Sequence, residues 1–384
     1  MKKIMLILLL SVLASGVTAQ DYIKVIGDQL IKKDIIFNGR FPLYTEGGKW
    51  IYSKGLNWFS GFTSGELWYM YDITGNEEFK KRALTHADSL IQFATKDDTH
   101  DLGFIFYNSC VRAYQHTGIK KYRDAAILAA RTLLQRFNSK GNFIRAWGSL
   151  QNTDRDGLMI IDTMMNLELL FWATNETGEN AFRDIAFKHA TTCLKEHIRD
   201  NYSSYHVVEF DANSGKVIKK KTHQGYADES TWARGQAWGV YGFALAYKYS
   251  GDKKFLSTSE KMTDYFNNNL PEDLVPRWDL DLKADSVTRD ASAGAIAASG
   301  MYLLSELVNS EKDQQKYLSR ALAITKSLRD NYLFTKSKRQ VEEGILLHIV
   351  YNHAKGWGVD ESYPAGDFYF IECIGKELGV KQKK

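Results

Sequence analysis

The sequence predicts an all-α protein, an (α/α)6 barrel of six inner and six outer helices with a small β-hairpin in one loop. Three observations predict it. A degenerate two-helix unit recurs along the chain, the mark of a repeat architecture. The first helix of each unit is apolar nearly all round and the second carries a single apolar stripe, so the first is buried and the second faces water. Finally, the surplus residues between units always fall between an outer helix and the next inner one, which gathers the long loops on one face of the barrel.

Each element has its own signal. Met1, Lys2 and Lys3, the apolar run 4–10, and then Val17, Thr18 and Ala19 follow the charged, apolar, small-residue order of a secretory signal, with cleavage expected after Ala19. Residues 20–384 are then expected to form a single barrel domain, periplasmic or secreted; no later segment approaches the roughly 20 apolar residues a membrane span needs. Residues 22–32 supply a helix to partner the last one, 368–378. The first full unit runs Leu67 to Tyr71, breaks at Thr74 and Gly75, and resumes with Phe79, Ala83, Leu84, Ala87, Leu90 and Ile91 at helical spacing. The break recurs at Thr117 and Gly118, Thr177 and Gly178, and Ser250 and Gly251, where glycine suits a left-handed helix terminus. A fifth unit, 295–304 and 317–328, lacks the glycine. Residues 205–210 with Val217 and Ile218, around the turn 211–215, read as the hairpin.

Composition limits the function. In 384 residues there are 4 Pro, 44% hydrophobic residues and no low-complexity run, which favours one continuous globular body. The 9 Trp, 21 Tyr and 20 Phe offer flat rings on which sugar faces stack, although rings also fill ordinary cores. A net charge of +4 is far from the clustered basic pattern of a nucleic-acid binder, and Lys219, Lys220 and Lys221 read as a solvated loop. Cys110, Cys193 and Cys373, odd in number and each in an apolar stretch, read as buried free thiols. No metal-ligand spacing, serine-nucleophile elbow or phosphate loop occurs, so metal, acyl-transfer and nucleotide chemistry lose support and no cofactor is called for.

The long loops carry the candidates: Trp58, His100 with Asp101, Asp156 with Asp162, the stretch 206–234, Trp278 and Asp279 with Asp290, and 360–367. Asp101 and Asp162 each stand at the mouth of an inner helix. Two acids delivered to one end of a barrel can hold a proton on one and a charge on the other, as sugar-cleaving chemistry requires. Each could equally cap its helix, and the residues alone leave both roles open. Residues 223–226 and 231–238 form the densest polar and aromatic stretch. They suit either a capped helix start with Arg234 paired to Asp228 or Glu229, or a sugar site. In the second case tryptophan, Trp238 among them, meets the ring face, Arg234 a substrate carboxylate, and histidine and Gln224 the hydroxyls. His206, taken alone, reads as structural.

Residues 59–62, 100–104, 161–167, 224–238, 290–293 and 366–370, in that order over nearly the whole mature chain, resemble the unsaturated glucuronyl hydrolases, glycoside hydrolase family 88. The long block 224–238 carries most of the specificity. The resemblance implies hydrolysis of oligosaccharides ending in a 4,5-unsaturated uronic acid, the products of polysaccharide lyases acting on glycosaminoglycan, ulvan, gellan or xanthan. It implies that Asp162 is the general acid/base and Asp101 the second essential carboxylate. His206, Gln224 and Arg234 would lie near the uronate and its hydroxyls, and Trp58 would stack. Members that prefer sulfated disaccharides tend to carry serines and a lysine before the last inner helix, whereas 361–366 here has no lysine. In such a sugar the C4=C5 bond is an enol ether, so the expected route is protonation at C4 and hydration at C5. Burial and the charge of Asp101 are both expected to raise the pKa of Asp162. A pectin-type unsaturated galacturonyl hydrolase on the same barrel, and an inactive exported glycan-binding protein, remain as alternatives. The oligomeric state is open.

Overall fold

Segments apolar on every side become the inner wall, and striped segments lie against them from outside. The computed structural model describes residues 19–380; all of the expected signal segment but Ala19 lies outside the described residues. The inner helices are α2 (Phe62–Thr74), α4 (Leu102–Phe106) continued through a π turn (Tyr107–Val111) into α5 (Arg112–Thr117), α7 (Thr163–Thr177), α9 (Ala233–Ser250), α11 (Ala291–Leu307) and α13 (Pro364–Glu377). Each packs on the next, and α13 returns to α2 to close the ring. The outer helices are α1 (Ala19–Phe37), α3 (Glu77–Leu90), α6 (Lys120–Leu134), α8 (Asn180–His197), α10 (Lys253–Asn268) and α12 (Glu311–Asn331). The glycine breaks behave as expected: Gly75, Gly118, Gly178 and Gly251 are left-handed, and each donates its N–H to the carbonyl four residues back. The three cysteines are buried and free.

Where only one hairpin was expected, four small sheets occur among the described residues. The expected one is present as β6 (Val207–Phe210) and β7 (Val217–Lys221), with β5 (Leu158–Ile160) added on its free edge. The others pair β1 (Phe41–Glu46) with β2 (Lys49–Ser53), β3 (Phe137–Asn138) with β4 (Phe143–Ile144), and β8 (Ile349–Asn352) with β9 (Trp357–Glu361). These strands are too short to show a period of their own between helical patterns. Lys219 to Lys221 are therefore strand rather than loop, and each is paired, to Asp228, Glu196 and Glu209 respectively. The π turn was not foreseen either; Asn108 and Ser109 bond back to the Phe104 and Ile105 carbonyls in that stretch.

One buried ion cluster fixes the closing helices. Lys33 Nζ on α1 lies 2.6 Å from Glu66 on α2 and 2.8 Å from Asp367 on α13, all three side chains being fully buried. The other Asp367 oxygen accepts the Ile345 and Leu346 amides, so the chain leading into α13 is held by the same carboxylate. Burial pushes the Glu66 carboxyl up to about 8 against the pull of Lys33.

Candidate active site

The two acids meet because their helices touch. Gly103 lies against α7 so closely that a Cβ there would stand 2.4 Å from the Asn166 Cα, and Asn166 Oδ1 accepts the Phe104 amide at 2.8 Å. Asp101 and Asp162, at the heads of α4 and α7, therefore open into one cleft. Neither caps its helix. Capping needs extended backbone at the cap residue, whereas Asp162 is helical (φ −56°, ψ −30°), and no side-chain cap bond forms at either residue. Of the two roles the residues left open, the geometry removes capping.

Their surroundings differ. Asp101 accepts the Thr99 hydroxyl at 2.7 Å on one oxygen and has His100 Nε2 at 3.3 Å from the other. Asp162 Oδ2 has no hydrogen-bond partner, with His206 Nε2 3.7 Å away and likewise unsatisfied. His206 Nδ1 accepts the His223 and Gln224 amides at 3.3 Å each, so the ring hydrogen must sit on Nε2, facing Asp162. Burial holds His206 well below the ordinary histidine range, and the ring is neutral. Although 15% of the Asp162 side chain meets the cleft, the protein crowded around it pushes its carboxyl up to about 7; Arg234 opposes the rise and Asp101 adds to it. The expected direction and both expected causes are present, with burial the larger.

The remaining candidates separate. Trp58, Gln224 and Arg234 line the cleft with the two acids. Trp58 packs on Phe59 and Phe104, which sets its ring angle. Gln224 donates to the Tyr351 carbonyl at 2.6 Å, leaving its amide oxygen for a ligand. Arg234 is paired neither to Asp228 nor to Glu229, which are taken by Lys219 and Arg199. It binds Asp290 at 2.8 Å and the Val350 and Tyr351 carbonyls, because as the second residue of α9 it faces the barrel axis rather than its own loop. His206 stands behind Asp162, stacked on Trp232 at 4.3 Å. Trp238 does not offer its ring to the cleft. A turn deeper in α9, it is fully buried between Phe104 and Tyr369, and what it presents toward Asp162 is an indole N–H that lowers the carboxyl slightly.

His223, from the polar and aromatic stretch, lines the cleft of about 360 Å³ as well, together with residues that the sequence did not single out: Trp147, Tyr351, Asn352, Lys355 and Trp357. Four of these belong to the β8–β9 hairpin, whose signal was the run 349–351 bounded by Asn352 and Gly356. Lys355, over the Trp357 ring at 4.4 Å, is a cleft-mouth cation with no ion pair among the described residues. The other rim acids are framework. Asp156 pairs with Arg145, Asp279 holds the Tyr226 amide and Ser230, Asp290 caps α11 and binds Arg234, and Asp367 binds Lys33. Among the described residues no cluster of metal-ligating side chains occurs and no helix is long and apolar enough to cross a membrane.

A carboxyl held protonated near neutrality, a second carboxylate beside it and aromatic walls over a polar floor on an (α/α)6 barrel define a glycoside hydrolase. A family model described as Glycosyl Hydrolase Family 88 matches residues 41–279, and the chain belongs to that family. It is 37% identical over 346 residues to an unsaturated chondroitin disaccharide hydrolase of Streptococcus pyogenes, covering 88% of this chain and 86% of that one. The structure of the unsaturated glucuronyl hydrolase of Bacillus sp. GL1, responsible for the degradation of glycosaminoglycan, superposes with a TM-score of 0.89 at 33% identity, over 95% of this chain and 98% of that one. An unsaturated glucuronyl hydrolase specific for heparin gives 0.87 at 36% identity, over 95% and 99%. These relatives favour the glucuronyl reading over the pectin-type one and over an inactive binding protein.

Proposed function

We propose that the protein hydrolyses oligosaccharides whose non-reducing end is a 4,5-unsaturated uronic acid, with Asp162 as acid and then base. The observation that carries this reading is the Asp162 carboxyl itself: uncapped, with one oxygen unsatisfied and its acidity moved to about 7. In the acid form it gives its proton to C4, and the π pair forms the new C–H bond. Positive charge then develops at C5, shared with the ring oxygen. Water adds at C5 and returns a proton to the Asp162 carboxylate, which restores the starting state. The hemiketal opens to a keto acid and frees the neighbouring sugar, so C1 is never displaced and the spacing of the two carboxylates carries no stereochemical meaning.

The rest of the floor suits a uronate. The free Gln224 oxygen can meet a hydroxyl, while the His206 Nε2–H, buried behind Asp162, faces that carboxyl instead of the cleft. Three of the five Arg234 N–H groups are committed to protein, which leaves a directed donor and a positive charge for the carboxylate. Trp58 offers a face to the ring, and Lys355 adds a positive charge to the cleft lining. Glycosaminoglycan, ulvan, gellan and xanthan fragments all present the required terminus. The order of charged, apolar and small residues in 1–19 supports export, which would place this step after an extracytoplasmic lyase. Mass spectrometry of protein purified from its host should give a first residue of Gln20; an intact Met1 in the active protein contradicts export.

The activity is tested by pairing an unsaturated glucuronide with its saturated counterpart on one aglycone. Only the unsaturated one should be cleaved, with loss of the ultraviolet absorbance of the conjugated double bond. Comparable release from both contradicts the proposal.

A further inference from the structure

Asp101 is held at one oxygen by Thr99, and its other oxygen faces a buried ring nitrogen that has no hydrogen-bond partner. Thr99 Oγ1 accepts the Asp101 amide at 3.0 Å, so its own hydrogen turns to Asp101 Oδ2, 2.7 Å away. On the other side His100 Nε2 lies 3.3 Å from Oδ1. The state of that ring follows from its second nitrogen. His100 Nδ1 is 3.0 Å from the Ala146 carbonyl, which can only accept, so Nδ1 carries a hydrogen.

That arrangement is locked from behind. The Ala146 carbonyl also accepts Arg136 Nη2 at 2.6 Å, while the rest of this buried guanidinium is bound to the Arg145, Asp97 and Gly148 carbonyls. Neither the carbonyl nor the ring can turn without breaking buried hydrogen bonds, which costs about 1–3 kcal/mol for each group left unsatisfied. With Nδ1 committed as donor, a bare Nε2 would set a lone pair against a carboxylate oxygen, and this nitrogen is buried with no other partner, His100 being only 1% exposed. One proton taken up from solvent by the His100 and Asp101 pair, lying between Nε2 and Oδ1, removes the conflict; burial lowers the basicity of the ring and the Asp101 charge raises it.

We propose that His100 is a positioning residue: it shares one hydrogen with Asp101 Oδ1 and, with Thr99 on Oδ2, clamps the second carboxylate, Arg136 fixing which imidazole nitrogen does so. The proposal rests on the reading of Asp101 as a working carboxylate. A clamp of this kind sets the aim of a group during the reaction, so its loss appears in kcat more than in KM.

The test compares two substitutions that each keep one nitrogen of the ring. His100→Gln keeps an amide at the Nε2 position, facing Asp101; His100→Asn keeps one at the Nδ1 position, facing Ala146. With an unsaturated disaccharide, kcat of His100→Gln should exceed that of His100→Asn by about ten-fold or more, with KM of both within roughly threefold of wild type. Equal activity, or His100→Asn the more active, overturns the clamp and leaves His100 an anchor for the Ala146 loop. Should either variant fail to fold, Thr99 decides: Thr99→Val should lose about ten-fold in kcat and Thr99→Ser should keep it, and wild-type turnover by Thr99→Val overturns the proposal. Asp101→Asn separates the two readings. An active Asp101→Asn enzyme removes the role of Asp101 itself, whereas an inactive one combined with the wrong order of His100 variants removes only the clamp.

Discussion

Asp162 concentrates a conflict between folding and chemistry. Moving its carboxyl from 3.8 to about 7 makes the ionised form unfavourable in the folded protein by on the order of 4 kcal/mol. The sign follows from linkage. Below the unfolded-state value both states are protonated and nothing is lost. Between the two values only the unfolded chain ionises, so stability falls as pH rises, and above about 7 the loss levels off. Asp162→Asn should escape this loss, so its melting temperature should pull ahead of wild type as pH rises from 4 to 7 and hold that lead beyond. Its kcat should meanwhile fall by more than about a hundred-fold, or ~3 kcal/mol in the barrier. Parallel melting curves at all pH values would show that burial does not set this carboxyl. Wild-type kcat/KM should decline on the alkaline side with an apparent pKa near 7, since the acid form of Asp162 does the work; activity flat to pH 9 would show that it does not. At this scale the sequence was readable where chemistry dictates residue type: Asp101, Asp162, Trp58, Gln224 and Arg234 do share one cleft. Trp238 was misread because helix phase, not residue type, decides which indoles reach the cleft, and phase cannot be fixed before the helix start is known.

Among elements, the helices were legible and the small sheets were not. Helices of 13 to 21 residues repeat their pattern over several turns, whereas strands of two to six residues in the front loops show at most three alternations. Helix α1 was foreseen as the partner of α13, but the means of attachment was not, because a lysine in a helix gives no sign that it will be buried. Lys33→Met should lower stability by about 3–5 kcal/mol, since it leaves Asp367 buried without its cation and takes the Nζ donor from the buried Glu66. Denaturant unfolding measures this directly, and a loss below about 1 kcal/mol would show that packing alone holds α1.

Across the whole molecule, the ring of inner helices turns six helix starts toward one opening, and the long loops decide what that opening recognises. Two of the starts deliver acids. The start of α9 delivers Arg234, and the β8–β9 hairpin before α13 supplies the far wall. The architecture follows from periodicity and the acids from their position in it, while the far wall depends on contacts between residues more than a hundred positions apart, such as Gln224 and Tyr351. The central claim is that this opening presents a proton to carbon. Turnover of an unsaturated disaccharide in heavy water measures it most directly. Nuclear magnetic resonance of the keto acid, recorded in the first turnovers before exchange beside the ketone can scramble the label, should show one deuterium at C4. Early product carrying only protium at C4 would contradict hydration of the double bond and return Asp101 and Asp162 to direct displacement at C1.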